Sequence, residues 1–307
     1  MSLKVALLMG GVSKEREVSL NTGENCYLEL KKLGYKITKI DLNKSLINNY
    51  IDFLKIFKNQ KFDFCFNALH GGLGENGSIQ GFLNIINIPY THSGVRASAI
   101  AIDKIVTKQV LKVSEIIFPD NIELDLNKTN KNDLPKSSFP IVIKPKTEGS
   151  SIGLKFIESS KDLSSVVNKN QNNLMAEEFV EGIELTVGVL NGKALCVTEI
   201  IPKTANFYNY NSKYLKNGSE HILPARIPKN IYQKAMKWSE IAYRTIGCRG
   251  IARADFKFSP VKDQLYMLEI NTHPGMTATS LIPEQAKYCG ITFNELIWNL
   301  LEQAKCD

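Results

Sequence analysis

Residues 253–280 read RADFKFSPVKDQLYMLEINTHPGMTATS. Two β-favouring runs, 251–258 and 265–271, flank Ser259-Pro260-Val261-Lys262-Asp263-Gln264, whose Ser, Pro and Asp are turn residues, so a hairpin is expected. Strand side chains alternate in direction. Ala252, Ala254, Phe256 and Phe258, with Tyr266, Leu268 and Ile270, then share an apolar face, and Arg253, Asp255, Glu269 and Asn271 share the other. Folding symmetrically about Lys262 sets Asp255 opposite Glu269. Two facing carboxylates repel, and no Lys or Arg is spaced to pair with both, so a cation between them is expected. Oxygens of Asp, Glu and Asn on rigid strands suit Mg²⁺, which keeps several waters and takes its remaining ligands from substrate phosphates. Taken alone, the pattern also fits an amphipathic hairpin with a solvated polar face. The tail Thr272-His273-Pro274-Gly275-Met276-Thr277 favours the metal: Pro then Gly makes a tight turn that brings bare backbone N–H groups near these strands, as an oxyanion site requires.

Around this hairpin, 307 residues suffice for two or three domains with well-buried cores. A hydrophobic fraction of 43% and a charged fraction of 22% exclude collagen-like, disordered and disulfide-scaffold classes. The net charge of +7 fits anionic substrates or an ordinary lysine-coated surface. Arginines stand only at 16, 96, 226, 244, 249 and 253, without the clusters or stripes of a nucleic-acid reader. Cysteines at 26, 65, 196, 248, 289 and 306 form no C-x-x-C pair and read as free thiols in a reducing compartment. No run approaches the ~18 apolar residues of a membrane span, and the apolar run 5–9 is too short for a signal-peptide core. A cytoplasmic protein without a membrane partner is expected.

In chain order, strands at 3–9, 35–42 and 62–69 alternate with helices at 16–33, 47–58 and 78–87, the pattern of an α/β, doubly wound parallel sheet. Ligands of such sheets sit beyond the carboxyl ends of the strands, where Gly10 to Glu15 and His70 to Gly77 fall. Gly10-Gly11 lacks the rest of a P-loop or dinucleotide fingerprint. Glu15 is either a stabilising first-turn charge or the receiver of a substrate ammonium, and His70 is equally open. A helix over 96–113 carries Lys104 and Lys108 on one face, and 124–138 is a polar surface segment. Lys144 interrupts an apolar strand at 139–145, which Pro145 restricts to an edge or a strand end. Lys146-Thr147-Glu148-Gly149-Ser150-Ser151-Ile152-Gly153 then reads either as a loop that folds over phosphates or as a hairpin turn with a surface lysine. A strand at 174–180, a hairpin over 185–201 turning at Asn191-Gly192, a period-less functional loop at 204–223, a helix at 230–247 and two helices within 283–305 complete the chain.

These pieces together resemble the ATP-grasp ligases, and among them the D-alanine-D-alanine ligase family. The likeness is collinear over the whole chain. It rests on Gly10-Gly11-x-Ser13-x-Glu15-Arg16-Glu17-Val18-Ser19, Leu69-His70-Gly71, Glu75-x-Gly77, Gln80-Gly81, Tyr90-Thr91-x-Ser93-Gly94 and Asp103-Lys104. It continues through Val142-x-Lys144-Pro145, Glu148-Gly149-Ser150-Ser151-x-Gly153, Tyr210-x-x-Lys213-Tyr214 and Glu269-x-Asn271-Thr272-x-Pro274-Gly275-Met276-Thr277. Asn76, Phe179 and His273 stand where the family often has Asp, Trp, and Ser or Leu.

The resemblance implies a three-domain ATP-grasp fold: an N-terminal α/β substrate domain (1–95), a central lid domain (96–178) and a C-terminal catalytic, metal-binding domain (179–307). It implies ATP-driven joining of two D-alanines through an acyl phosphate, for peptidoglycan precursors, by a homodimer. Asp255, Glu269 and Asn271 would carry two Mg²⁺ (or Mn²⁺) ions, Lys104, Lys144 and Lys213 would hold phosphates, and Ser151 would close over them. Glu177 and Val180 would take the adenine edge, with Phe179 beside the ring and Glu184 on the ribose. Glu15 would bind the first ammonium, with His70 near its carboxylate, and Ser280 and Leu281 would hold the second carboxylate. Arg253 and Gly275 would form the oxyanion hole, and Ser150 and Tyr214 would orient the substrates. A D-alanine-D-lactate ligase of the same fold and a non-catalytic nucleotide or amino-acid sensor are the alternatives; Tyr214 argues against the first, and the Arg253, Asp255, Glu269 and Asn271 set against the second.

Overall fold

The computed structural model describes residues 2–124, 139–149, 153–159, 162, 173–203, 218–277 and 280–307. Strands β1 (Lys4–Met9), β2 (Lys36–Asp41) and β3 (Phe64–Asn67) form a parallel sheet in the order β2-β1-β3. β1 is central and covered on both faces, which is why it reads as a continuous apolar run. Val5, Leu7 and Met9 pack with Cys26 and Leu30 of helix α1 (Arg16–Lys32). Ala6 and Leu8 pack on the opposite side, toward the helices that follow β2. There the sequence predicts one helix, but two form, α2 (Lys44–Asn48) and α3 (Tyr50–Gln60), because Asn43 and Asn49 each cap a new start. Helix α4 (Ser78–Ile85) completes that layer with Ile79 and Leu83.

The expected helix over 96–113 is also broken. α5 (Val95–Ile102) stops at Asp103, whose extended backbone and side-chain carboxylate, accepting from the N–H groups of Ile105 and Val106, start α6 (Lys104–Leu111). Lys104 and Lys108 of α6 are both buried. An antiparallel sheet follows in the order β4-β7-β5-β6, from β4 (Asn121–Leu124), β5 (Ile141–Pro145), β6 (Lys155–Ile157) and β7 (Leu174–Glu178). Pro145 sits at the end of β5, where its missing N–H breaks no ladder. The expected surface segment at 124–138 lies, from 125 onward, outside the described residues.

The largest sheet is antiparallel, in the order β10-β9-β8-β11-β12, built from β8 (Ile183–Leu190), β9 (Lys193–Pro202), β10 (Ser219–Ile222), β11 (Ile251–Ser259) and β12 (Gln264–Asn271). Asn191 and Gly192 both have positive φ, 50° and 83°, the type I′ geometry that the sequence calls for between β8 and β9. β10 falls within the stretch expected to be a loop; positions 204–217 of that stretch lie outside the described residues. Helix α7 (Lys229–Ile246) buries Trp238, Ala235 and Ala242 against this sheet. Helices α8 (Leu281–Tyr288) and α9 (Phe293–Glu302) join Ile282, Leu296 and Leu300 to the core that includes Val5 and Leu7, α8 packing on β8 and β9 and α9 on α1.

The central hairpin has the expected register, with Arg253 opposite Asn271 and Asp255 opposite Glu269. Its apolar face differs from expectation. Pairing shifts between Asp255 and Phe256, so that Phe256 faces Met267 and Leu268 is the extra residue of a bulge. Leu265 and Met267, not Tyr266 and Leu268, are therefore fully buried with Ile270, Phe256 and Phe258. The bulge turns Leu268 toward the slot described next.

Candidate active site

Two adjoining cavities share Lys104, Glu148 and Glu269 in their walls. The smaller, a slot of about 110 Å³ between the four-stranded and five-stranded sheets, is lined by Lys144, Glu177, Phe179, Val180, Glu184, Asp255 and Leu268. The larger, a cleft of about 540 Å³, holds Glu15, His70, Arg253, Asn271, Gly275, Ser280 and Leu281. Every predicted site residue among the described ones lines one cavity or the other. Ser150, Ser151, Lys213 and Tyr214 lie outside the described residues.

At the inner end of the slot the buried Glu177 carboxylate meets two lysines: Lys144 Nζ donates to Oε1 at 2.8 Å, and Lys108 Nζ donates to Oε2. Burial alone would raise the Glu177 pKa, but the two ammonium charges outweigh it and hold the group below the usual carboxylate range. The lysines move apart. Burial lowers Lys108 despite Glu177, whereas for Lys144 the opposing charges of Glu177 and Glu269 overcome burial and raise it. Lys108 was placed beside Lys104 by helical spacing, but no sequence signal shows it reaching Glu177 on β7. Replacing Glu177 with leucine would strand two buried ammonium groups, and a loss of about 3–5 kcal/mol is expected, read as faster amide exchange in β5 and β7. Phe179 stands edge-on to Phe156, ring centroids 4.9 Å apart, and Glu184 pairs with Lys257 at 3.1 Å.

At the junction, Lys104 Nζ lies 3.1 Å from Glu269 Oε2 and donates to the Glu148 carbonyl at 2.8 Å. Arg253 grips Asp255 with two hydrogen bonds of 2.8 Å, and Thr186 Oγ1 donates to Asp255 Oδ1 at 2.6 Å. Each carboxylate thus has a basic side chain of its own beside it. Thr186 escaped the sequence reading because its register with Asp255 depends on the distant pairing of β8 with β11. Asn271 Oδ1 accepts from the His273 N–H at 2.7 Å, which fixes its amide. Three all-oxygen donors side by side on rigid paired strands fit a hard divalent cation.

In the cleft, Glu15 is buried just before α1. A Cβ on Gly71 would come within 2.7 Å of Glu15 Oε2, and one on Gly149 within 3.0 Å, so both loops approach the carboxylate with bare backbone. Ser13 Oγ donates to the His70 carbonyl at 2.6 Å and ties the first loop to the second. Opposite, a Cβ at Gly275 would meet Ser280 Oγ at 2.9 Å, while Ser280 Oγ lies 2.7 Å from Thr277 Oγ1. Ser280 precedes α8, so the Leu281 N–H belongs to that helix's first turn, where anions are favoured.

Below these groups His92 and His273 stack at 3.9 Å, and His70 lies 5.7 Å from His273. Burial, then the neighbouring His70 and Arg249, push His92 down to about 3; burial with His92 and His70 likewise holds His273 well below its ordinary value. The sign follows. Above pH 6.5 these rings are neutral folded or unfolded, and below it only the unfolded chain takes up their protons. For His92, stability is expected to fall by about 1.4 kcal/mol per pH unit from pH 6.5 toward about 3, checked by denaturant melts across that range, with a shallower slope in His92→Asn.

A slot between two antiparallel sheets, adjoining a larger cleft through a lysine and carboxylates, is the arrangement of an ATP-grasp enzyme. Family profiles described as D-ala D-ala ligase N-terminus and C-terminus match residues 48–93 and 110–302. The chain is 42% identical to the D-alanine-D-alanine ligase of Carboxydothermus hydrogenoformans over 97% of each chain, and 42% identical to that of Sinorhizobium fredii over 98% of each. Its fold matches the Bacillus anthracis D-alanine-D-alanine ligase crystallised with ATP at a TM-score of 0.84 and 30% identity, covering 98% of this chain and 97% of that one. The chain belongs to the D-alanine-D-alanine ligase family. No helix among the described residues is long and apolar enough to cross a membrane.

Proposed function

We propose that the chain ligates two D-alanines to D-alanyl-D-alanine with ATP, supplying peptidoglycan precursor synthesis in the cytoplasm, and that it works as a homodimer. The observation that carries this reading is the junction of slot and cleft at Lys104 and Glu269, where a phosphate from one side would meet a carboxylate from the other. A carboxylate oxygen of the first D-alanine attacks the γ-phosphorus and ADP leaves. The amine of the second then attacks the acyl carbon, loses a proton, and expels phosphate carrying one original carboxylate oxygen.

Glu177 and the Val180 backbone take the adenine edge, Phe179 lies beside the ring and Glu184 takes the ribose hydroxyls. Lys104 and Lys144 hold phosphate oxygens, together with Lys213 and a covering Ser151. Asp255, Glu269 and Asn271 would hold two Mg²⁺ or Mn²⁺ ions, which when bound neutralise charge on the β- and γ-phosphates. Glu15 binds the first ammonium, His70 stands near its carboxylate, and Ser280 with the Leu281 N–H holds the second carboxylate. Arg253 and the Gly275 N–H face the oxyanion of the tetrahedral intermediate, where preorganised donors act most strongly. Ser150 and Tyr214 orient the substrates with Glu15. Residues 1–95, 96–178 and 179–307 are taken as three units; one sheet falls in each. Phosphate release from ATP is expected with D-alanine but not L-alanine, and D-lactate is expected to be a poor acceptor; D-lactate as the preferred acceptor would favour the depsipeptide alternative, and no release with either would overturn the ligase.

A further inference from the structure

Of the buried imidazoles beneath the cleft, His92 and His273 are not used by the chemistry above. One donor atom each from His70, Glu75 and His273 lies within 4.8 Å of the others, and all three residues are buried in the cleft wall. Ligands about 2.1 Å from a shared tetrahedral zinc ion stand about 3.4 Å apart, the spacing His70 Nδ1 and Glu75 Oε1 already have, so a closure of up to about 1.4 Å by His273 completes the set. His70 Nε2 is engaged by Thr22 Oγ1 at 2.9 Å, which leaves Nδ1, 3.4 Å from Glu75 Oε1, on the side of the cluster. A hydroxyl on the far ring nitrogen is the kind of outer contact that orients a metal-binding imidazole. The backbone entering Glu75 is held as well, because Asn67 and Gln80 both donate side-chain N–H groups to the Gly74 carbonyl.

His273 supplies the independent observation. It is 2% exposed, and neither ring nitrogen has a hydrogen-bond partner among the described residues; the Leu69 carbonyl is near the ring but out of hydrogen-bond geometry. Buried polar atoms are normally satisfied, and a ring with two idle nitrogens beside a second imidazole and a carboxylate is suited to a ligand. Two imidazoles and one carboxylate form a donor set for zinc-class ions with a fourth position open, here toward the cleft, and such a set is too rich in nitrogen for Mg²⁺.

We propose that His70, Glu75 and His273 bind a divalent ion of the zinc class, on a donor set separate from Asp255, Glu269 and Asn271, and that the bound ion blocks D-alanine. The blocking half rests on the assignment of the cleft to D-alanine: a dication beneath Glu15 repels the substrate ammonium and engages His70.

The test titrates the full chain with Co²⁺ under saturating Mg²⁺, following the visible d–d absorption and the heat of binding, with Zn²⁺ as competitor. One Co²⁺ displaced by Zn²⁺ is expected, with binding weakened at least about 100-fold in His273→Leu and about tenfold or more in Glu75→Gln. His273→Leu puts an apolar side chain of similar bulk in a buried position, and an unchanged melting temperature certifies its fold. Zn²⁺ should inhibit ligation competitively with D-alanine, and His273→Leu, compared with its own zinc-free rate, should relieve that inhibition. No Co²⁺ band, or equal binding in both variants, overturns the site; binding without competitive inhibition overturns the blocking half. The zinc-free rate tests the ligase reading independently of either result.

Discussion

Replacing Glu269 with glutamine is expected to lower kcat by at least about a thousandfold and to abolish Mg²⁺-dependent ATP binding while the fold persists. Glu269 stands opposite Asp255 in the hairpin, pairs with Lys104 at 3.1 Å and lines both cavities, so of the three oxygen donors Asp255, Glu269 and Asn271 it alone reaches both the slot and the cleft. Glutamine keeps its shape and one oxygen but removes the charge that a doubly cationic site needs, and charge neutralisation at a transferring phosphoryl group carries most of the catalysis in this chemistry. The side chain is not part of a buried apolar core, which is why unfolding is not expected. Steady-state kinetics and calorimetric ATP titrations with and without Mg²⁺ check this; near-normal turnover would remove Glu269 from metal binding.

Replacing Arg253 with methionine is expected to reduce kcat by about 10²–10³, the usual cost of one oxyanion donor, with ATP affinity changed only a few-fold. Arg253 leans on Asp255 through two hydrogen bonds, which hold its guanidinium at the cleft wall near Gly275. Asp255 retains Thr186 as a donor at 2.6 Å when the arginine is lost, so its orientation should survive. Separate measurements of kcat and of ATP binding distinguish the roles. If ATP binding collapses while kcat at saturation holds, Arg253 positions Asp255 and does not serve the oxyanion.

The pairing of Asp255 with Glu269 was legible because it follows from folding about Lys262, although the strands next to the turn pair about a centre between 261 and 262 and the bulge at Leu268 makes up the difference. The bulge was not, because Leu265-Tyr266-Met267-Leu268 is apolar throughout and alternation cannot choose which pair faces the core. The break at Asp103 was hidden by helix-favouring residues on both sides; only the capping geometry reveals it. β10 is a four-residue edge strand whose pairing with β9 carries no local signature. Motif spacing placed the described site residues on the two cavities. The histidine cluster was invisible because residues 70, 92 and 273 meet only where three separate connections converge.

The most direct test of the central claim follows the oxygen atoms. D-alanine labelled with oxygen-18 at both carboxylate oxygens is incubated with ATP and Mg²⁺, and the products are weighed by mass spectrometry. The account predicts D-alanyl-D-alanine with one heavy oxygen at its peptide carbonyl and two at its carboxyl end, together with inorganic phosphate carrying one. Dipeptide accompanied by unlabelled phosphate, or by labelled AMP, would contradict an acyl-phosphate ligation.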